Sequence, residues 1–442
     1  MKIERDILKD LKAWKEKNGR KPLMLFGARQ TGKTWILKEF GKSCFDRCAY
    51  FNFDEEEHLG ELFSKTKSPA RLLEQLSHLT GFTISASDTL IIFDEIQECP
   101  KAIESLKYFC EQCPEYAIVT AGSLLGIMLG HKDFSYPVGK VDHLDMYPVT
   151  FSEFLRAKDK ALSDYYHSID TIEQLPQIFF DRLSASFDYY RISGGMPESV
   201  VAILENHRDE TDRILSSILK DYTLDFVKHS TPLIANRIGH IWENLPSQLS
   251  KENHKFIYSQ VRSGARAREY EDALIWLKNA GLIYQVMLCT KPFIPLKAYD
   301  QINSFKIYAC DIGLLRVLAD LDNHIYETTS DQFREFKGGL TENYVLQSLI
   351  PQFGKNIRYW SSGNKAEVEF LIQFDNSIIP VEAKSAISVK SKSLSVYDNA
   401  YHPKIRLRYS MKNLSQAGNL INIPLFLADK TRNLLKACSK NE

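Results

Sequence analysis

The stretch LMLFGARQTGKT, residues 23–34, constrains this chain more than any other. Four apolar residues run directly into a glycine loop that fits G-x-x-x-x-G-K-[ST] from Gly27 to Thr34. PLMLF is short and almost wholly apolar, as a strand covered on both faces must be. TWILKEFGK then spaces Trp35, Leu37 and Phe40 as a helix does. Strand, loop and helix in that order make a phosphate cradle. Gly27 and Gly32 let the backbone curl so that its N–H groups face an anion, and the helix N-terminus adds partial positive charge. The candidate nucleotide-binding residues are therefore Gly27, Ala28, Arg29, Gln30, Thr31, Gly32, Lys33 and Thr34. Lys33 is expected to reach the β- and γ-phosphates of ATP, and the Thr34 hydroxyl to ligate Mg²⁺.

Such a cradle needs a second half, and TLIIFDEIQ, residues 89–97, supplies it. A buried strand ends in Asp94 and Glu95, at the strand end where parallel sheets bind ligands. Asp94 is expected in the Mg²⁺ shell and Glu95 on the attacking water. Adjacent carboxylates after an apolar run are a poor structural choice without a cation nearby. A third strand, YAIVTAGS, ends in Thr120 and Ser123, either of which could sense the γ-phosphate or the water. A helix cap by Ser123 is the structural alternative.

These motifs, followed by YPVTFSEFL, resemble the AAA-type P-loop ATPases of the bacterial and archaeal group with a fused C-terminal domain of unknown function (DUF4143). The resemblance covers nearly the whole chain. It implies an α/β fold in four parts: a P-loop core over 1–150, a helical lid over 151–235, a winged-helix domain over 236–325 and a small α/β nuclease-like domain over 326–442. Where the family often carries Gly-Arg before YPVTFSEFL, this chain has Lys140. A lysine cannot make the bidentate fork of an arginine finger.

Charge and composition narrow the partners. Lys plus Arg equals Asp plus Glu, 56 against 56, so an affinity for nucleic acid has to come from a local patch. No apolar run approaches the ~20 residues of a membrane span, and the charged N-terminus has no apolar signal core. A cytoplasmic location is expected, with the 8 Cys reduced. Cys110 and Cys113 form a lone C-x-x-C without a second pair at zinc spacing, so buried or incidental thiols are expected there.

Helical spacing recurs through 150–235, broken by SGGMPE at 193–198, a turn signal. Arg191 and Arg213 are candidate trans-acting charges, with ion-paired helix faces as the alternative. Between 251 and 300, eight Lys or Arg face five acids, and Arg262, Arg266 and Arg268 gather where a second helix should start. A DNA-reading helix presents its first residues to the groove, although winged helices also serve as protein contacts.

The last part opens with a helix, KGGLTENYVLQSLIPQF, in which Glu342 lies on the first turn close to the apolar face. AEVEFLI alternates, which sets Glu367 and Glu369 on one face and Val368 and Phe370 on the other. After a hairpin turn at DNS, IIPVEAKS brings Glu382 and Lys384 to one face. Glu369 and Glu382 can then converge on a divalent cation, with Glu342 adding a carboxylate and Lys384 steadying a water or transition-state charge. This acid, gap and Glu-x-Lys pattern resembles the PD-(D/E)xK nuclease superfamily, which usually has Asp where this chain has Glu369. A solvated face of cross-strand Glu–Lys pairs is the alternative. In PKIRLRY, Lys404, Arg406 and Arg408 share one strand face, either to meet a polyanion or to guard a sheet edge.

The expectation is an ATP-binding, ATP-hydrolysing protein coupled to a DNA-acting nuclease-like domain. The alternative is a nucleotide-controlled binding switch with a silent nuclease fold, and a small-molecule kinase is a weaker third. Candidate partners are ATP, DNA and further copies of the chain.

Overall fold

The computed structural model describes residues 1–56, 58–122, 135–250, 255–325, 334–363, 366–385 and 392–440. The chain is α/β and divides into two units, one of Arg5–Tyr147 with Asn279–Gly281, the other of Met1–Glu4, Pro148–Lys278 and Leu282–Glu442.

The first unit is built on β1 (Leu23–Phe26), β2 (Arg47–Asn52), β3 (Thr89–Asp94), β4 (Ala117–Ala121) and β5 (Asp142–Asp145). They form one parallel sheet in the order β2-β3-β4-β1-β5. Alternate residues go to opposite faces. Met24, Ile91, Phe93 and Ile118 pack with the helices Leu59–Lys65, Pro69–Thr80 and Pro100–Gln112. Leu23, Leu25, Leu90, Ile92 and Val119 pack with Ile7–Glu16 and Lys33–Cys44. Both faces are covered, which is why β1, β3 and β4 read as unbroken apolar runs. β5, by contrast, has the sequence DHLD and is half exposed at the edge. Because every strand is parallel, the loops after β1 and β3 leave the same end of the sheet.

The second unit begins with helices Phe151–Lys158, Lys160–Ser168, Gln177–Ser193, Pro197–Leu204, Arg208–Lys228 and Pro232–Leu249. Thr150 and Glu153 form a reciprocal capping box at the first of them. The SGGMPE turn is set by Gly194, at φ 61 and ψ −156. A Cβ there would lie 2.2 Å from Asp311 Oδ1 and 2.6 Å from the Gly313 nitrogen. Asp311, fully buried, accepts from the Gly195 N–H at 2.6 Å and caps the helix Ile312–Leu318 through the Leu314 N–H at 3.0 Å.

The unit's sheet comprises β6 (Ile283–Cys289), β7 (Asp300–Ala309), β8 (Arg358–Ser361), β9 (Glu367–Phe374), β10 (Ser377–Ala383), β11 (Arg406–Ser410), β12 (Ser415–Ala417) and β13 (Leu420–Pro424). Its order is β12-β13-β11-β10-β9-β8-β6-β7. The β6–β7 hairpin, read from sequence as part of a winged helix, continues this sheet through a parallel pairing of Met287 and Leu288 with Arg358 and Tyr359. Helix Arg334–Phe353 packs on β7, β9 and β10. Among the described residues, no helix is long and apolar enough to cross a membrane.

Candidate nucleotide and carboxylate sites

In the glycine loop, Gly27 adopts φ 149, and a Cβ there would sit 2.3 Å from the Met146 carbonyl oxygen. No other residue fits. Gln30 and Gly32 also have positive φ, 64 and 93, and helix Lys33–Cys44 starts directly after them. The Thr31 hydroxyl donates to Ala28 O at 2.8 Å. Behind the loop, buried Arg5 donates to Thr31 O at 2.9 Å and to Tyr147 O at 2.6 Å. Arg5 lies 26 residues from Thr31 in sequence and no motif marks it, so sequence reasoning missed this support.

Lys33 is 7% exposed, and its Nζ donates to Gly27 O at 2.9 Å and Ala28 O at 2.8 Å. Desolvation pushes its pKa down to about 8, against the opposing pull of Glu95 and Asp94. That coupling ties the loop after β1 to the end of β3. An ammonium held on two carbonyls in a dry site is poised for phosphate oxygens, which would return the charge stabilisation that burial removes. Thr34 is half-buried at the helix start, and Ala28 and Arg29 are buried and exposed respectively.

Asp94 is 2% exposed and shares the sheet face of helix Lys33–Cys44 with Ile92. Its Oδ2 accepts from the Tyr50 hydroxyl at 2.9 Å, and its Oδ1 from the Glu95 N–H at 3.1 Å. Burial and the Asp94 charge hold the Tyr50 phenol well above its usual range, so it stays a donor. A hard, pre-oriented carboxylate of this kind suits Mg²⁺. Glu95 turns into left-handed backbone at φ 46, and its Oε2 accepts from Gln97 Nε2 at 2.5 Å. Thr120 is fully buried beside Phe93, and its Oγ1 has no hydrogen-bond partner. Ser123 lies outside the described residues.

The second unit holds the other predicted cluster. Lys384 Nζ lies 3.4 Å from Glu369 Oε1 and 3.3 Å from Glu382 Oε1, with Glu369 and Glu382 both buried. Glu369 Oε2 is buried without a partner. Burial first, then the charges of Glu342 and Glu382, raise the Glu369 pKa, while Lys384 opposes the shift. Glu342 is 7% exposed and accepts from the Tyr308 hydroxyl at 3.0 Å. Lys306, fully buried, donates to Glu367 Oε1 at 2.5 Å. Lys306 and Tyr308 come from β7 and were not anticipated. Their one signal is the polar spacing within the otherwise apolar SFKIYA. Among the described residues, no group of three or more His, Cys, Asp or Glu side chains is gathered to hold a metal ion.

Several expectations are corrected. AEVEFLI does not alternate simply, because the β8–β9 register shifts between Arg358 and Trp360. Val368 and Leu371, three apart, join one apolar cluster, and Phe370 packs on Tyr308 instead. The extra residue of a bulge breaks the period of two. The basic row on β11 is not a free anion surface. Arg406 donates twice to Asn419 Oδ1 and lies 3.3 Å from Asp398, and Arg408 donates to Asn422 Oδ1 at 3.0 Å. These neighbours supply the compensation that a row of like charges needs. Lys140 pairs with Glu111 at 2.9 Å, while Arg191 pairs with Asp188 and Arg213 with Glu210, which matches the ion-paired alternative stated for these two arginines. Arg262, Arg266 and Arg268 are exposed near the start of helix Ala267–Asn279. As expected, Cys110 and Cys113 are free thiols.

Residues 19–155 match the family described as AAA domain. This AAA match spans the glycine loop, the Asp94–Glu95 strand and all five strands of the parallel sheet. Residues 184–325 and 337–426 match two domains of unknown function, DUF8612 and DUF4143. No curated protein matches the chain in sequence. Among solved structures, the ORC2 protein of Aeropyrum pernix (ADPNP-ADP complexes) is similar at 12% identity, over 74% of this chain and 96% of that one, with a TM-score of 0.35. The ORC1 protein of Aeropyrum pernix in complex with DNA has 12% identity, over 74% and 94%, with a TM-score of 0.28. RuvB of Thermotoga maritima has 16% identity, over 67% and 94%, with a TM-score of 0.28.

Proposed function

We propose that this chain binds and hydrolyses ATP at the AAA segment and couples that cycle to a DNA-acting, nuclease-like site in its C-terminal part. The observation that carries the first half is Lys33, desolvated on the loop carbonyls and electrostatically linked to Glu95 and Asp94. The loop N–H groups and Lys33 bind the β- and γ-phosphates. Thr34 and Asp94 would hold Mg²⁺, which neutralises phosphate charge when bound. Glu95 orients the attacking water and accepts its proton. Thr120, with its unpartnered hydroxyl, is the candidate γ-phosphate sensor. The test is ATP turnover and ATP affinity in wild type and Glu95→Gln. Hydrolysis should fall about 10²-fold while binding persists, the scale for losing a positioned base. Undiminished turnover would sink the assignment.

For the C-terminal part, the orphaned Glu369 Oε2 beside Glu382 supports a divalent cation held by these two carboxylates, with Lys384 on the water. The exposed Arg262, Arg266 and Arg268 support contact with a phosphate backbone. A second reading, a nucleotide-controlled binding switch with a silent nuclease fold, is favoured by Lys384 spanning Glu369 and Glu382 as an internal counter-ion. Mg²⁺-dependent nicking lost in Glu382→Ala supports the nuclease; DNA retention without cleavage supports the switch.

A further inference from the structure

The turn that follows Glu95 carries an amide whose arrangement stability alone does not account for. The Glu98 N–H returns to Glu95 O at 3.0 Å and the Cys99 N–H to Ile96 O at 3.0 Å, closing a tight turn over Ile96–Glu98. Ile96 is fully buried in the apolar cluster and anchors it. The turn folds Gln97 back, so that its Nε2 donates to Glu95 Oε2 at 2.5 Å. Gln97 is itself 7% exposed, and its Oε1 is buried with no hydrogen-bond partner. A buried carbonyl without a donor costs stability, and a methionine would fill the same volume without leaving one. What the amide does is therefore set by the end that is tied.

We infer that Gln97 is a positioning residue that fixes the Glu95 carboxylate for attack on ATP, an inference that rests on Glu95 being the base. Glu95 sits in left-handed backbone just past the end of β3, beyond the strand pairing that ends at Asp94. Engaging one carboxylate oxygen fixes the plane of the group and leaves the other oxygen to take the proton of the water. The Gln97 amide is tied to Glu95 and not to the glycine loop, so it acts on the chemical step and not on nucleotide affinity.

The experiment compares Gln97→Met and Gln97→Glu, each alone and combined with Glu95→Gln, in the full chain. The readouts are kcat, ATP affinity and melting temperature. Gln97→Met should lower kcat about tenfold or more, with ATP affinity held within about twofold and melting not lowered. Gln97→Glu, nearly isosteric but set against a like charge, should lower kcat further. In the Glu95→Gln background neither change should alter the residual rate by more than about twofold, because residues acting as a unit are not additive. Unchanged kcat in Gln97→Met, or the same fold loss with and without the Glu95 carboxylate, overturns the inference. If Gln97→Glu does not fold, Gln97→Met decides the matter. Should Glu95→Gln itself turn over like wild type, the base assignment fails; should it be inactive while Gln97→Met is fully active, only the positioning role fails.

Discussion

Replacing Lys33 by Met should raise the melting temperature of the nucleotide-free protein while abolishing its response to ATP. The ammonium is buried on the carbonyls of Gly27 and Ala28, and its pKa falls from 10.5 to about 8. That depression of about 2.5 units corresponds to roughly 3 kcal/mol against the charged form at neutral pH, at ~1.4 kcal/mol per unit. Methionine removes this cost but also two hydrogen bonds, worth about 1 kcal/mol each. The net is about 1 kcal/mol in favour of Lys33→Met, or about 2–4 °C for a domain of this size. A lowered folded pKa means that this group's contribution is complete above about 10.5 and is lost as pH falls through about 8. Wild type should therefore gain on the variant as pH rises across that window. The assay is thermal melting with and without Mg-ATP. Wild type should gain about 2.7 kcal/mol at 100-fold excess over the dissociation constant, and the variant nothing. If Lys33→Met melts below wild type without nucleotide at pH 7, the ammonium is not held at a cost, and the argument from desolvation is wrong.

Three further outcomes follow from the second unit. Gly194→Ala should cost about 3 kcal/mol or more in urea unfolding, because its Cβ would meet Asp311 Oδ1 and the Gly313 backbone at a φ of 61. Asp429 is buried and its pKa rises to about 6, chiefly by desolvation, although the Ser152 N–H opposes this. The folded state takes the proton first, so its contribution is complete below about pH 4 and lost as pH rises through about 6; Asp429→Asn should melt higher than wild type at pH 7, by up to about 3 kcal/mol, with the gap closing toward pH 4. Lys306→Met leaves the buried Glu342 and the partly buried Glu367 without their shared cation and should cost about 3 kcal/mol or more in urea unfolding, partly recovered when Glu367→Gln is added.

The parallel sheet and its phosphate loop were legible because each rests on local pattern. Buried central strands must be apolar runs, and the loop needs Gly27 and Gly32 at fixed offsets. Asp94 and Glu95 were legible because two carboxylates ending such a run call for positive charge beside them. Arg5 and Tyr50 were not, since each reaches its partner across the fold and neither belongs to a motif. Glu369, Glu382 and Lys384 come together as their spacing predicts, yet the period of two failed beside them, because a register shift leaves no composition signal. Arg406 and Arg408 misled for a related reason: Asn419, Asn422 and Asp398, which compensate them, lie outside their strand, 8 to 14 residues along the chain, and are brought close by the pairing of β11 with β13 and by helix Lys392–Tyr401.

The ladder that joins β6 to β8 runs across the gap between the segments matched at 184–325 and 337–426. Strands β6 and β7 belong to the first segment, and β8 to β13 to the second. The two therefore cannot be treated as exchangeable cassettes. Cutting the chain between residues 325 and 337 would bare one raw edge on each fragment, and each edge is the other's natural complement. Fragments expressed together should reassemble along that seam, and fragments expressed apart should be lost to aggregation. Lys306 on β7 and the Glu367 that it neutralises on β9 would be parted by the same cut.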